Sequence, residues 1–295
     1  MAKLKNDKVT SNDLIEYLES QSDFNFELRV LKMLRENGLD CDHGGHYEDP
    51  VTKKSREFDI RAVKTIGQLR VRMAIECKNI REHFPILISC VPRHKSESYH
   101  QIAYLNEPSN SPLGAVHSLH QSRAKTFSIR DQHSLYKEGE SVGKSTVQVG
   151  RQQNDNSITA NDSELFEKWG QCLSSSHDLV EQTYWDGYDE KESFKSALIP
   201  FVVVPNGRLW TVNYNEDGER VSEPTPTDRC SCYIDKDYIM GTEMASERMW
   251  LSHMEIITFD GLLSFVEQYL KSEAGINEIF PEEGFYEAMH RALKT

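Results

Sequence analysis

The sequence predicts an α/β fold, a mixed β-sheet flanked by helices. Three observations lead there. Apolar residues recur at helical spacing in two early segments, one middle segment and two late ones. Between them lie apolar runs of strand length, alternating or continuous. The order begins with antiparallel strands and then crosses by a helix to further strands, which a mixed sheet with helical cover accommodates.

In chain order, "SNDLIEYLES" and "SDFNFELRVLKMLRENGLD" read as helices. Ser22 and Asp23 are N-cap candidates for the second, and Asn37-Gly38 is its stop. Residues 41–79 read as three strands, turning at Asp49-Pro50 and near Gly67, with Gly44-Gly45 as a backbone bend. "LNEPSNSPLG" is loop, and residues 133–162 are polar with no sustained period. "SELFEKWGQCLSSSHDLVEQTYW" returns to helical spacing, with Leu165, Trp169, Cys172, Leu173 and Val180 along one side. Two strands surround Asn206-Gly207, a hairpin signal, and Trp169 and Trp210 are expected in the core. "FDGLLSFVEQYLKSE" is a helix capped by Asp260, and a last helix starts at Pro281.

The chain has 295 residues, 38% hydrophobic and 27% charged, as expected of a globular protein with a sizeable core. No apolar run approaches the ~20 residues of a membrane span, and no secretory signal is evident. Six scattered cysteines read as reduced thiols, so a cytoplasmic location without a membrane partner is expected. The net charge of −13 is unevenly placed. Residues 1–80 are balanced, and residues 81–151 carry 9 basic against 6 acidic side chains. Residues 152–295 carry 11 against 27, so the first half can still face a polyanion.

The segment "REFDIRAVKTIGQLRVRMAIECKN" concentrates the chemistry. Side chains alternate along a strand, so Leu69, Val71, Met73, Ile75 and Cys77 form the core face. Arg70, Arg72, Ala74, Glu76 and Lys78 share the other face. A two-residue Gly67-Gln68 turn of type II′ fixes the register and puts Asp59 directly opposite Glu76. Their Cβ atoms then lie roughly 4.5–5.5 Å apart. Two carboxylates that close require a cation between them or a shared proton, and paired carboxylate oxygens suit Mg²⁺. Glu27 adds a third carboxylate, because the helical wheel places it within the apolar arc of Phe26, Val30, Leu31, Met33 and Leu34.

Asp59 followed by Glu76-Cys77-Lys78 at the end of an apolar strand resembles the PD-(D/E)xK motif of the restriction-endonuclease-like nucleases, with Phe58 in place of the usual proline. The resemblance covers about residues 22–80. It implies a single nuclease-like domain over residues 1–295. Residues 22–80 would form the helix and catalytic hairpin, 81–160 a long insertion with a substrate-binding surface, and 161–295 the remaining helices and strands. It further implies Mg²⁺- or Mn²⁺-dependent hydrolysis of phosphodiesters, of DNA in preference to RNA, in restriction, defence or repair. Asp59 and Glu76 would ligate the metal, with the Cys77 carbonyl and Glu27 as further ligands. Lys78 would orient the attacking water. A homodimer or partner subunit would suit a double-strand break. The alternative is a catalytically idle nucleic-acid-binding or interaction module of the same fold.

Other signals carry less. "EGESVGKST" lacks the first glycine of a phosphate-binding loop, whose position holds Glu138. Cys41, His43, His46, Cys230 and Cys232 lack the paired spacing of a zinc site. In this superfamily a later Lys or Gln often approaches the active site or a DNA phosphate, which makes Lys144, Ser145, Gln148 and Arg151 candidates. Arg93 and Lys95, with Arg123, Lys125 and Arg130, add basic charge interleaved with aromatics.

Overall fold

The structure, a computed structural model, describes residues 7–20, 22–105, 124–189, 193–242, 245–292 and 294. Most of the "LNEPSNSPLG" loop, and Arg123, lie outside the described residues. Two helices come first, α1 (Ser11–Ser20) and α2 (Phe24–Glu36). Next are β1 (Asp40–His43), β2 (His46–Glu48), β3 (Ser55–Glu57), β4 (Ile60–Ile66) and β5 (Leu69–Cys77). Residues 81–160 supply β6 (Ile86–Pro92), β7 (Tyr99–Leu105), β8 (Ala124–Arg130), β9 (Ser141–Arg151) and β10 (Ile158–Asn161). Helix α3 (Ser163–Asp189) leads to β11 (Phe194–Val204), β12 (Leu209–Asn213), β13 (Thr225–Pro226), β14 (Arg229–Thr242) and β15 (Ala245–Thr258). Last are α4 (Phe259–Tyr269), α5 (Glu273–Ile279) and α6 (Glu282–Ala292).

One large mixed sheet runs β1-β4-β5-β11-β15-β14-β9-β6-β12-β13, with β7, β8 and β10 joined at its sides. β4 and β5 are antiparallel, and β5, β11 and β15 are parallel neighbours. The strands of residues 81–160 are therefore hydrogen-bonded into the sheet, although residues 133–162 show no sustained period in sequence.

Helices cover both faces. Val71, Met73, Ile75 and Cys77 pack with Phe26, Val30 and Leu34 of α2 and with Leu262 and Phe265 of α4. On the opposite face Ala74, Leu198 and Val202 pack against Leu165, Cys172, Leu179 and Val180 of α3. This corrects the expectation of a single core face on β5. The strand lies inside the sheet between β4 and β11, so α3 also buries the face that carries Arg72 and Glu76.

Three local expectations also change. Asn206-Gly207 is a turn, with Gly207 at φ +72°, but β11 and β12 do not pair with each other. β12 joins β6 instead. Thr258, not Asp260, caps α4 by accepting the Gly261 N–H at 3.1 Å. Trp169 and Trp210 are half-buried. Among the described residues no helix is long and apolar enough to cross a membrane.

Candidate active site

The β4–β5 hairpin has the register that its turn predicts. Ile66 pairs with Leu69 and Ile60 with Ile75, so the next position sets Asp59 opposite Glu76. Gly67 takes φ +57°, while Gln68 does not enter the positive region, as a type II′ turn requires. Asp59 is held from two directions. Its backbone carbonyl accepts the Gly44 N–H at 3.1 Å, and its Oδ2 accepts the Cys77 N–H at 2.7 Å. Gly45 is needed beside it, because a Cβ there would sit 2.5 Å from the Phe58 ring. Phe58 in turn stacks under the Arg61 guanidinium, 4.0 Å from the ring centre.

The cation between the carboxylates is Lys168 of α3, which sequence reasoning missed. Its Nζ lies 2.8 Å from Asp59 Oδ2 and 3.4 Å from Glu76 Oε2. A signal was present. Lys168 lies three residues after Leu165 and four before Cys172, inside the buried arc of α3, as Glu27 lies inside the arc of α2.

Glu76 is fully buried, and its second oxygen, Oε1, has no hydrogen-bond partner among the described residues. Burial first, and then the Asp59 charge, hold its carboxyl well above the ordinary carboxylate range. Burial pulls the Lys168 ammonium down, but Asp59 and Glu76 outweigh it and the net shift is upward. The lysine therefore stays charged while Glu76 is the carboxyl more ready to hold a proton. Glu27 lines the same open cleft as Asp59 and Lys168, with His46, Arg56 and Glu57. Its carboxyl is raised by burial and then by Asp59, and His43 Nε2 stands 3.4 Å from it.

Lys78 does not converge with Asp59 and Glu76, and that expectation is corrected. It lies just past the end of β5, and its Nζ reaches Asp23 Oδ2 at 3.1 Å and Glu164 Oε2 at 4.0 Å. Asp23 accordingly makes no side-chain cap on α2. Its carboxylate takes Lys78 and the Asn79 N–H, at 2.8 Å, instead. The Cys77 thiol points into the α2-side core, so only its backbone faces Asp59.

The candidate nucleic-acid contacts divide. Gln148 and Arg151 line a second cleft together with Lys78. Arg93 is 2% exposed and is corrected as a surface residue. Its guanidinium donates to Ser231, to the Lys137 carbonyl and to His253, and pairs with Glu140. It is therefore an internal strut. Lys95 is exposed on a short 3-10 turn, and Lys144 pairs with Glu97 and stands over Tyr233. Lys144 lies on β9, a strand, where no phosphate-binding loop forms.

Among the described residues no three His, Cys, Asp or Glu side chains stand close enough to hold one ion. Asp59 and Glu76 nevertheless offer hard oxygen donors, and among the described residues Glu76 Oε1 has no partner. Mg²⁺ is commonly held by one or two carboxylates together with substrate oxygens and water, so the pair fits such an ion. A scan against protein-family models found no match, and searches of curated proteins and of solved structures found none either.

Proposed function

We propose that this chain is a divalent-metal-dependent nuclease with a restriction-endonuclease-like core, hydrolysing phosphodiester bonds of DNA. The observation that carries the reading is the opposition of Asp59 and Glu76 on the hairpin, bridged by an ammonium, with one buried oxygen that has no partner among the described residues.

Asp59 and Glu76 would hold Mg²⁺ or Mn²⁺, with the Cys77 carbonyl as a further oxygen. Glu27 stands back at His43 as an outer carboxylate. When bound, the ion would offset charge on the phosphoryl oxygens and make a bound water more acidic. Cys77 N–H fixes the rotamer of Asp59. Lys168 would move aside from between the carboxylates to hold the attacking water and to balance charge in the transition state. Lys78, anchored by Asp23, faces the adjoining cleft and would position a neighbouring phosphate. The work given to one lysine in the sequence motif is thus divided between two.

The test is incubation of the purified protein with plasmid, linear and single-stranded DNA in Mg²⁺, Mn²⁺ or EDTA. Cleavage should require metal. Asp59→Ala and Lys168→Ala should each lower it by roughly a hundredfold or more, and Lys78→Ala by less. An Asp59→Ala protein that cuts as fast as wild type would sink the proposal, as would a wild type inactive on every substrate.

A further inference from the structure

The cleft beside the carboxylate centre holds an unmet demand that a phosphate cannot satisfy. Lys78, Arg81 and Arg151 supply positive charge along it, offset in part by Glu164 of the lining and by Asp23 at Lys78, and Tyr17 and Phe84 supply aromatic surface. Gln148 of β9 lines the same cleft and is 1% exposed. Its Nε2 donates to the Phe84 carbonyl at 3.4 Å. A carbonyl can only accept, so this bond fixes which end of the amide faces Phe84. Among the described residues Oε1 has no partner, and it is buried.

The arrangement is held in place by packing. A Cβ at Gly150 would meet the Phe84 ring at 2.6 Å and the His83 carbonyl at 3.0 Å. Glycine lets β9 press against residues 83–84 and keeps the Gln148–Phe84 bond. An orphaned buried acceptor is costly and calls for a donor. Phosphate diesters offer none. The exocyclic amino group of a nucleobase does, and the cations alongside suit the phosphates on either side of it.

We propose that this cleft receives one nucleotide of an unpaired strand, with its phosphates on Lys78, Arg81 and Arg151 and an amino-bearing base donating to Gln148 Oε1. The ring would stack against Tyr17 or Phe84. The inference rests on the nuclease reading for the identity of the ligand, and it adds a preference at one base position.

Two labelled single-stranded oligodeoxynucleotides test it by fluorescence polarisation in EDTA. They differ only in carrying adenine or purine, the same ring without its 6-amino group. Wild type should bind the adenine strand about tenfold more tightly, the value of one buried hydrogen bond. Gln148→Met should erase that preference while keeping affinity for the purine strand. Arg151→Ala should weaken both alike and flatten the salt dependence. Equal wild-type affinity for the two strands, or binding to neither, overturns the inference, and that comparison needs no variant to fold. A preference retained in Gln148→Met also overturns it. Cleavage without base preference would leave the nuclease reading standing, whereas preference without any cleavage would leave this one.

Discussion

Two buried glutamates stand on either side of β11 and meet their cations in different ways. Glu76 on β5 pairs in register with Val202, and Glu255 on β15 pairs with Phe201. Consecutive residues of β11 point to opposite faces, so one carboxylate lies under α3 and the other lies on the α4 side. Glu255 receives a two-pronged guanidinium, with Arg229 Nε at 2.8 Å and Nη2 at 2.9 Å. That guanidinium is itself packed over Phe265 and Tyr269. Glu76 receives one prong of a shared ammonium at 3.4 Å, and its other oxygen has no partner among the described residues. The first is a finished structural pair. The second is unfinished within the chain, in a place that an open cleft reaches through Asp59 and Lys168. Burial and charge are common to both, so satisfaction of the acceptor is what separates a strut from a candidate site.

Stability should break the symmetry most strongly. Arg229→Leu strands a fully buried carboxylate and should cost about 3–5 kcal/mol. Glu76→Gln removes a carboxylate that is poorly compensated, and should leave the urea midpoint unchanged or raised while cleavage is lost. Equal destabilisation by the two changes would erase the distinction.

A smaller effect is expected from pH, through two buried histidines on the Arg229–Glu255 side. His253 stacks on Tyr136 at 3.8 Å and contacts Arg93. Burial, then the Arg93 charge, push its pKa down to about 2, and burial pushes His100 down to about 4. Both are neutral when folded, and both take a proton near the ordinary 6.5 when unfolded. The unfolded state therefore binds more protons below that value, and stability falls as pH drops. Each group contributes up to about 1.4 kcal/mol per pH unit. Denaturation midpoints between about pH 6 and 5 should show a slope that His253→Gln reduces.

The smallest effect should be on metal affinity. Lys168→Met removes the ammonium from between Asp59 and Glu76, and calorimetry should show severalfold tighter Mn²⁺ binding even as cleavage falls. Unchanged affinity would mean that the ammonium does not occupy the place of the ion.

Much of the candidate site was legible because its determinants are local. Strand alternation and the Gly67-Gln68 turn suffice to oppose Asp59 and Glu76 across seven paired positions of a hairpin. Glu27 was legible as a charge inside an apolar arc. Lys78 misled, because same-face reasoning holds only while the strand continues, and β5 ends at Cys77. The β14–β15 ribbon left no clear period to read. Its register shifts between Tyr233 and Lys236, where Asp235 takes φ +47°, and the alternation slips there. β9 is obscured in the same way by the irregularity opposite Ser89 and Cys90.

By itself, then, the sequence determined the α/β class, the early helices, the hairpin and its register, and the meeting of two carboxylates. These follow from periodicity and turn chemistry acting over a few residues. Tertiary structure alone decided which lysine meets those carboxylates, which strands flank β11, and that Gln148 and Lys78 share a cleft. Those outcomes depend on how α3 docks on the sheet and how strands far apart in the chain find one another. Long-range packing sets such pairings, and no local propensity records it.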